Sequence, residues 1–166
     1  MNKTIKAIIG SALFATTFAV TDPQPAKASD AHIRLVNTLE RIGVKVYNGS
    51  GSEACKPQGN SILMGYYHSV KNYIVLCTNN ANDETMKQTL VHEAVHAIQD
   101  CASGGIMTDT LTPIGNWRSL VNNLSNEHKN AIVKFYPENK WGLEVEARYL
   151  ENNPVAVEEG VRRYCL

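Results

Sequence analysis

The sequence predicts a small α+β fold: a three-stranded sheet, antiparallel or mixed, packed on one very apolar helix and followed by a helical second half. Three observations lead there. Short runs rich in β-branched and aromatic residues lie at 44–47, 61–67 and 73–78, separated by stretches of Gly, Ser and Asn. Between Thr85 and Cys101, apolar residues fill all but about 100° of a helical projection. From Trp117 onward apolar residues recur at helical spacing, and Pro137 and Pro154 divide the segments.

The elements follow in order. Lys3 and Lys6, an apolar run from Ala7 to Val20, and the small residues Ala26 and Ala28 around Lys27 have the layout of an export signal over residues 1–28. The apolar run is short of the ~20 residues a membrane span needs. Residues 29–166 are expected to form a single domain. Asp30 can cap a helix over 31–42, ended by Gly43. A strand over 44–47 leads to a Gly- and Ser-rich loop at 48–56. The strands at 61–67 and 73–78 form a hairpin through the five residues from His68 to Asn72. Asn82 or Asp83 caps the central helix. Residues 103–116, with three glycines and Pro113, read as a long loop beside it. Helices are expected at 117–124, 126–135, 141–152 and 154–164.

Charge and cysteines narrow the function classes. The chain carries 16 basic and 16 acidic residues; removing residues 1–28 leaves a net charge of about −2. No basic run stands out, so nucleic acid is not an expected partner. Once the signal is removed, no stable membrane span is expected. Cys55, Cys77, Cys101 and Cys165 all follow the signal and form no Cys-x-x-Cys pair. In an exported chain that even count predicts disulfides. Four cysteines allow three pairings, among which sequence alone does not choose. The favoured one joins Cys55 to Cys77 across the hairpin and Cys101 to Cys165.

The chemistry gathers on the central helix. Thr85, Thr89, His92, Glu93, His96 and Asp100 share its one polar arc. His92 and His96, one turn apart, can present both imidazoles to a single ion, here zinc. Glu93 cannot comfortably be a third ligand from the adjacent position, but it can act as general base toward a water on that ion. Six further residues receive secondary assignments. Asp100 is either an orienting partner for an imidazole or a solvated helix end. His68 and His128 are candidates to stabilise a tetrahedral intermediate. Tyr66, Tyr67 and Tyr73 suit paired strands.

His92-Glu93-Ala94-Val95-His96 resembles the His-Glu-x-x-His helix of the zincin metallopeptidases. The metzincin branch would require Gly at position 99 and His at 102, where this chain has Gln99 and Ala102. The gluzincin branch takes its third ligand as a Glu from a later helix. That implies Glu127, Glu138, Glu144, Glu146, Glu151, Glu158 or Glu159. On the 141–152 helix, Leu143, Ala147 and Leu150 form an apolar stripe that includes Glu146, whereas Glu144, Arg148 and Glu151 share the charged face. A carboxylate on an apolar face needs a partner, and a metal would be one. Glu146 is therefore the expected third ligand and Glu144 the alternative.

The resulting expectation is an exported, secreted or periplasmic hydrolase. It would bind one zinc ion through His92, His96 and Glu146, use Glu93 as base, and cleave a peptide or protein substrate. The alternative is a non-catalytic secreted module that keeps zinc and disulfides as structural staples for binding a partner.

Overall fold

A computed structural model describes residues 28–59, 62–105 and 110–166. The expected export signal falls outside the described residues, apart from Ala28. Helix α1 (Ala28–Arg41) buries Ala31, Leu35, Thr38 and Leu39. The chain then turns at Gly43, whose φ of 84° suits a residue without a Cβ. Val44 is buried immediately after the turn. Strands β1 (Lys45–Asn48), β2 (Gly65–His68) and β3 (Tyr73–Leu76) form one sheet in the order β1-β3-β2. The sheet is mixed: β2 pairs antiparallel with β3, and β1 pairs parallel with it. Between β2 and β3 the chain makes a 3-10 turn (Ser69–Lys71) and a left-handed residue, Asn72.

Alternation along the strands gives the sheet two faces. Val46, Tyr67, Ile74 and Leu76 join the main core. Tyr66, Tyr73 and Val75 pack on the opposite side with Cys55 and Cys77. The sheet's inner face rests on α2 (Asp83–Ala102), capped by the Asn82 side chain accepting from the Thr85 N–H. The nearly all-round apolar pattern of α2 is explained by its neighbours, with the sheet, α1, α5 (Trp141–Leu150) and α6 (Pro154–Cys165) all packed against it. Leu90, Val91, Ala94, Val95, Ala97 and Ile98 are its core residues, each worth about 1–3 kcal/mol on burial according to size. Between α2 and α5 run α3 (Trp117–Leu120), a 3-10 turn and α4 (Asn126–Phe135). The expected helix over 117–124 is thus split, with Val121–Asn123 in 3-10 form.

Both favoured disulfides are present, Cys55–Cys77 and Cys101–Cys165, and the described residues include no free cysteine. They close loops with sequence separations of 22 and 64. In a chain-entropy account these are worth roughly 3 and 4 kcal/mol. Two such bonds suit an oxidising, extracellular type of environment. Among the described residues no helix is long and apolar enough to cross a membrane.

The first and last helices are joined by a buried carboxylate. Glu158 on α6 accepts from Arg162 at 2.7 Å, and from Arg34 and Thr38 on α1 at 3.3 Å each. Burial works against its ionised form, but these partners outweigh it and hold the carboxyl below its ordinary range.

β2 approaches α2 so closely that a Cβ at Gly65 would lie 2.6 Å from Thr89 Cγ2 and 2.8 Å from the Val75 carbonyl oxygen. Gly65→Ala must therefore move a strand that touches the helix of histidines. The expected cost is about 1–3 kcal/mol, read as a lower urea midpoint at unchanged slope.

Candidate metal centre

One turn of α2 separates His92 from His96, and their rings meet edge to face with centroids 5.1 Å apart. Glu144 on α5 faces both. Its Oε2 is 3.4 Å from His92 Nε2, and its Oε1 is 3.4 Å from His96 Nε2. A charge-assisted hydrogen bond would close to about 2.7–2.9 Å. Two donors each about 2.0–2.1 Å from a tetrahedral zinc ion lie about 3.4 Å apart. The two histidine–carboxylate spacings thus match those of neighbouring ligands around an ion. All of the candidate ligand atoms lie within 4.8 Å of one another, in a mostly buried site.

The far sides of both rings are engaged, which fixes how they face the ion. His92 Nδ1 is 3.1 Å from Glu151 Oε2, and Arg148 Nη1 donates to that same oxygen at 3.1 Å. His96 Nδ1 is 2.7 Å from Gln99 Oε1. In the neutral rings each acceptor calls for the proton on Nδ1, which turns the Nε2 lone pair toward Glu144. Glu144 Oε2 is buried with no hydrogen-bond partner among the described residues. Two neutral imidazoles, a carboxylate and an orphaned carboxylate oxygen are a donor set that suits a divalent cation such as zinc.

Charge at the site has a clear sense. Burial and Arg148 push the His92 imidazole down, but Glu144, Glu151 and Glu93 outweigh them and lift it to about 9. His96 is also raised, because Glu144 and Glu93 overcome burial and His92. Glu144 is held well below the usual carboxylate range by the two histidines, against the effect of burial. Without a cation, a proton on an imidazole therefore balances the carboxylates.

The expectation that Glu146 would join the histidines is corrected by its surroundings. Glu146 is buried, but it accepts from the backbone N–H of Ile114 at 2.8 Å, of Gly115 at 2.8 Å, and from Gln99 Nε2 at 3.0 Å. Burial still raises its pKa against these donors. The carboxylate that meets His92 and His96 is Glu144. The physical reason is that α5 buries both faces: Glu144 and Glu151 on the charged side are as enclosed as Leu143, Ala147 and Leu150 on the apolar side. Burial therefore does not single out Glu146.

The other candidates separate cleanly. Glu93 is buried beside the histidines and accepts the Tyr67 backbone N–H from β2 at 2.9 Å. Asp100 is fully buried rather than solvated, and accepts from the Tyr67 hydroxyl at 2.8 Å. His68 stacks on Tyr73 at 5.0 Å, on the face of the sheet turned away from α2. His128 on α4 is 1% exposed, and burial, Arg148 and His92 push it down to about 4, so its ring is neutral near pH 7. Tyr136, just after α4, was not anticipated. Its hydroxyl lies against Glu144, and burial together with Glu144 and Glu93 raises its pKa, so the phenol keeps its proton.

A family model described as a domain of unknown function, DUF8637, matches residues 25–166. The chain belongs to that family. No curated protein and no solved structure matches it.

Glu144→Ala is expected to lower zinc affinity by orders of magnitude, whereas Glu146→Ala leaves all three candidate ligands in place and should cost about 10–100-fold at most. Equilibrium dialysis against a chelator distinguishes them. Acidity supplies a second expectation. The folded pKa of His92, about 9, lies above the model-peptide 6.5, so its pairing stabilises the metal-free fold fully below about 6.5. That contribution fades as pH rises through about 9. Zinc, which needs the neutral ring, should release a proton on binding near pH 7 and bind more weakly in acid. Calorimetry in buffers of different ionisation enthalpy measures that release.

Proposed function

We propose that the chain is an exported zinc-dependent hydrolase that attacks amide bonds, a metallopeptidase of the zincin kind. The observation that carries this reading is the convergence of Glu144 on His92 and His96 with Glu93 next to them on the same helix. His92, His96 and Glu144 would hold one zinc ion. Bound there, it would supply Lewis acidity toward a water and a carbonyl oxygen. Glu93 takes the proton of the attacking water and returns it to the leaving amine, a cycle one carboxylate can serve. The Tyr67 amide holds one Glu93 oxygen and so restricts the carboxylate's rotation. Tyr136, which keeps its proton beside Glu144, would donate to the developing oxyanion, the role that the sequence suggests for His68 or His128.

β2 is an edge strand, and the Tyr67 N–H points away from β3 toward Glu93. An extended peptide laid along that edge would bring its amides to the base, which supports a peptide or protein substrate. The export-type leader and two disulfides support a secreted or periplasmic location. A module that kept zinc only as a staple would need no ionisable group at Glu93, since a glutamine would accept the Tyr67 amide as well.

Wild type loaded with zinc should cleave an unfolded, reduced and alkylated protein. Glu93→Gln should bind zinc equally well and lose at least about 100-fold in rate. Equal zinc binding with no cleavage by either would sink the enzyme reading.

A further inference from the structure

We infer that the segment Thr112–Gly115 regulates the metal centre: its docking on Glu146 and Gln99 fixes the orientation of His96, so segment position and metal affinity are one coupled equilibrium. This rests on the reading of His92, His96 and Glu144 as a metal site. It goes beyond that reading by assigning a control element to it.

The coupling runs through Gln99, which is fully buried. Its Nε2 donates to the Leu143 carbonyl at 3.1 Å and to Glu146 Oε2 at 3.0 Å. Both partners accept, so the amide cannot flip, and its Oε1 must face His96 Nδ1 at 2.7 Å. That places the ring proton on Nδ1 and the lone pair on Nε2, toward Glu144. Glu146 is held in turn by the segment, with Ile114 N–H on Oε2 and Gly115 N–H on Oε1. The Thr112 N–H also donates to the Gln99 backbone carbonyl at 3.2 Å. The segment thus binds the Glu146 side chain and the Gln99 backbone, and the Gln99 side chain, held by Glu146, orients a ligand.

Displacement of the segment cannot leave this arrangement intact. Glu146 would lose two of its three donors, and an ionised carboxylate in the seam must replace them. It must turn away or draw on Gln99, and His96 Nδ1 then loses its fixed acceptor. By linkage, a cation that holds His96 in place favours the docked segment to the same degree. The seat on α5 is tight: a Cβ at Gly142 would lie 2.7 Å from the Trp117 ring and 3.1 Å from Pro113 Cγ.

Gly115→Pro removes one of the two amides and leaves Gln99, Glu146 and the three ligands unchanged; Gln99→Leu removes the acceptor itself. Zinc affinity, measured by competition with a chromophoric chelator, should fall about 10–100-fold in each while circular dichroism stays native. In wild type, zinc should slow hydrogen exchange of the Ile114 and Gly115 amides, a readout that stands even where a variant fails to fold. Wild type that binds zinc with no change in this exchange overturns the inference, as does Gly115→Pro binding with unaltered affinity. Wild type that binds no zinc overturns the proposed metal site and this coupling together, so the two failures are distinguishable.

Discussion

Burying a charge without a partner costs more than a domain of this size can spare, and that constraint organises the seam between α2 and α5. Glu93, Glu144, Glu146 and Glu151 are enclosed there with His92 and His96. Each is answered by a different device: a strand amide for Glu93, the two imidazoles for Glu144, loop amides and an amide side chain for Glu146, an arginine and an imidazole for Glu151. Only Glu144 Oε2 among these carboxylate oxygens stands out as buried without a hydrogen bond. An apolar seam of the same shape would be simpler to stabilise.

Much of the architecture was legible because local physics carried it. β-branched and aromatic runs marked the strands, Asn82 or Asp83 marked the start of α2, and Pro154 marked the start of α6. Strand order was not legible. β3 inserts between β1 and β2, and β1 pairs parallel to it, an arrangement set by long-range packing on α2 rather than by any turn. Cysteine pairing was anticipated because each bond joins ends that the hairpin or the helix order brings together.

At the site, His92, Glu93 and His96 were evident because their spacing is a local helical property. The third partner was not, since helical-wheel reasoning assumes one buried face and one wet face. α5 has no wet face along most of its length, so the wheel favoured Glu146 for a property Glu144 shares. Gln99 sits three residues after His96, where a side chain can reach back to the ring, and that spacing could have flagged it. Tyr136 left no comparable signal, because its approach to Glu144 depends on how α4 packs against α5.

The two disulfides also leave something unjoined. One fastens the outer face of the sheet, and the other fastens the end of α2 to the end of the chain. Neither bridges α2 to α5, although the candidate ligand side chains divide between those two helices. A cation shared by His96 and Glu144 would close the long excursion between them and act as a third crosslink. Loop-closure entropy for a link of that reach is roughly 4 kcal/mol. Unlike the sulfur bridges, this clasp would be reversible, opened by acid or a chelator rather than by a reductant.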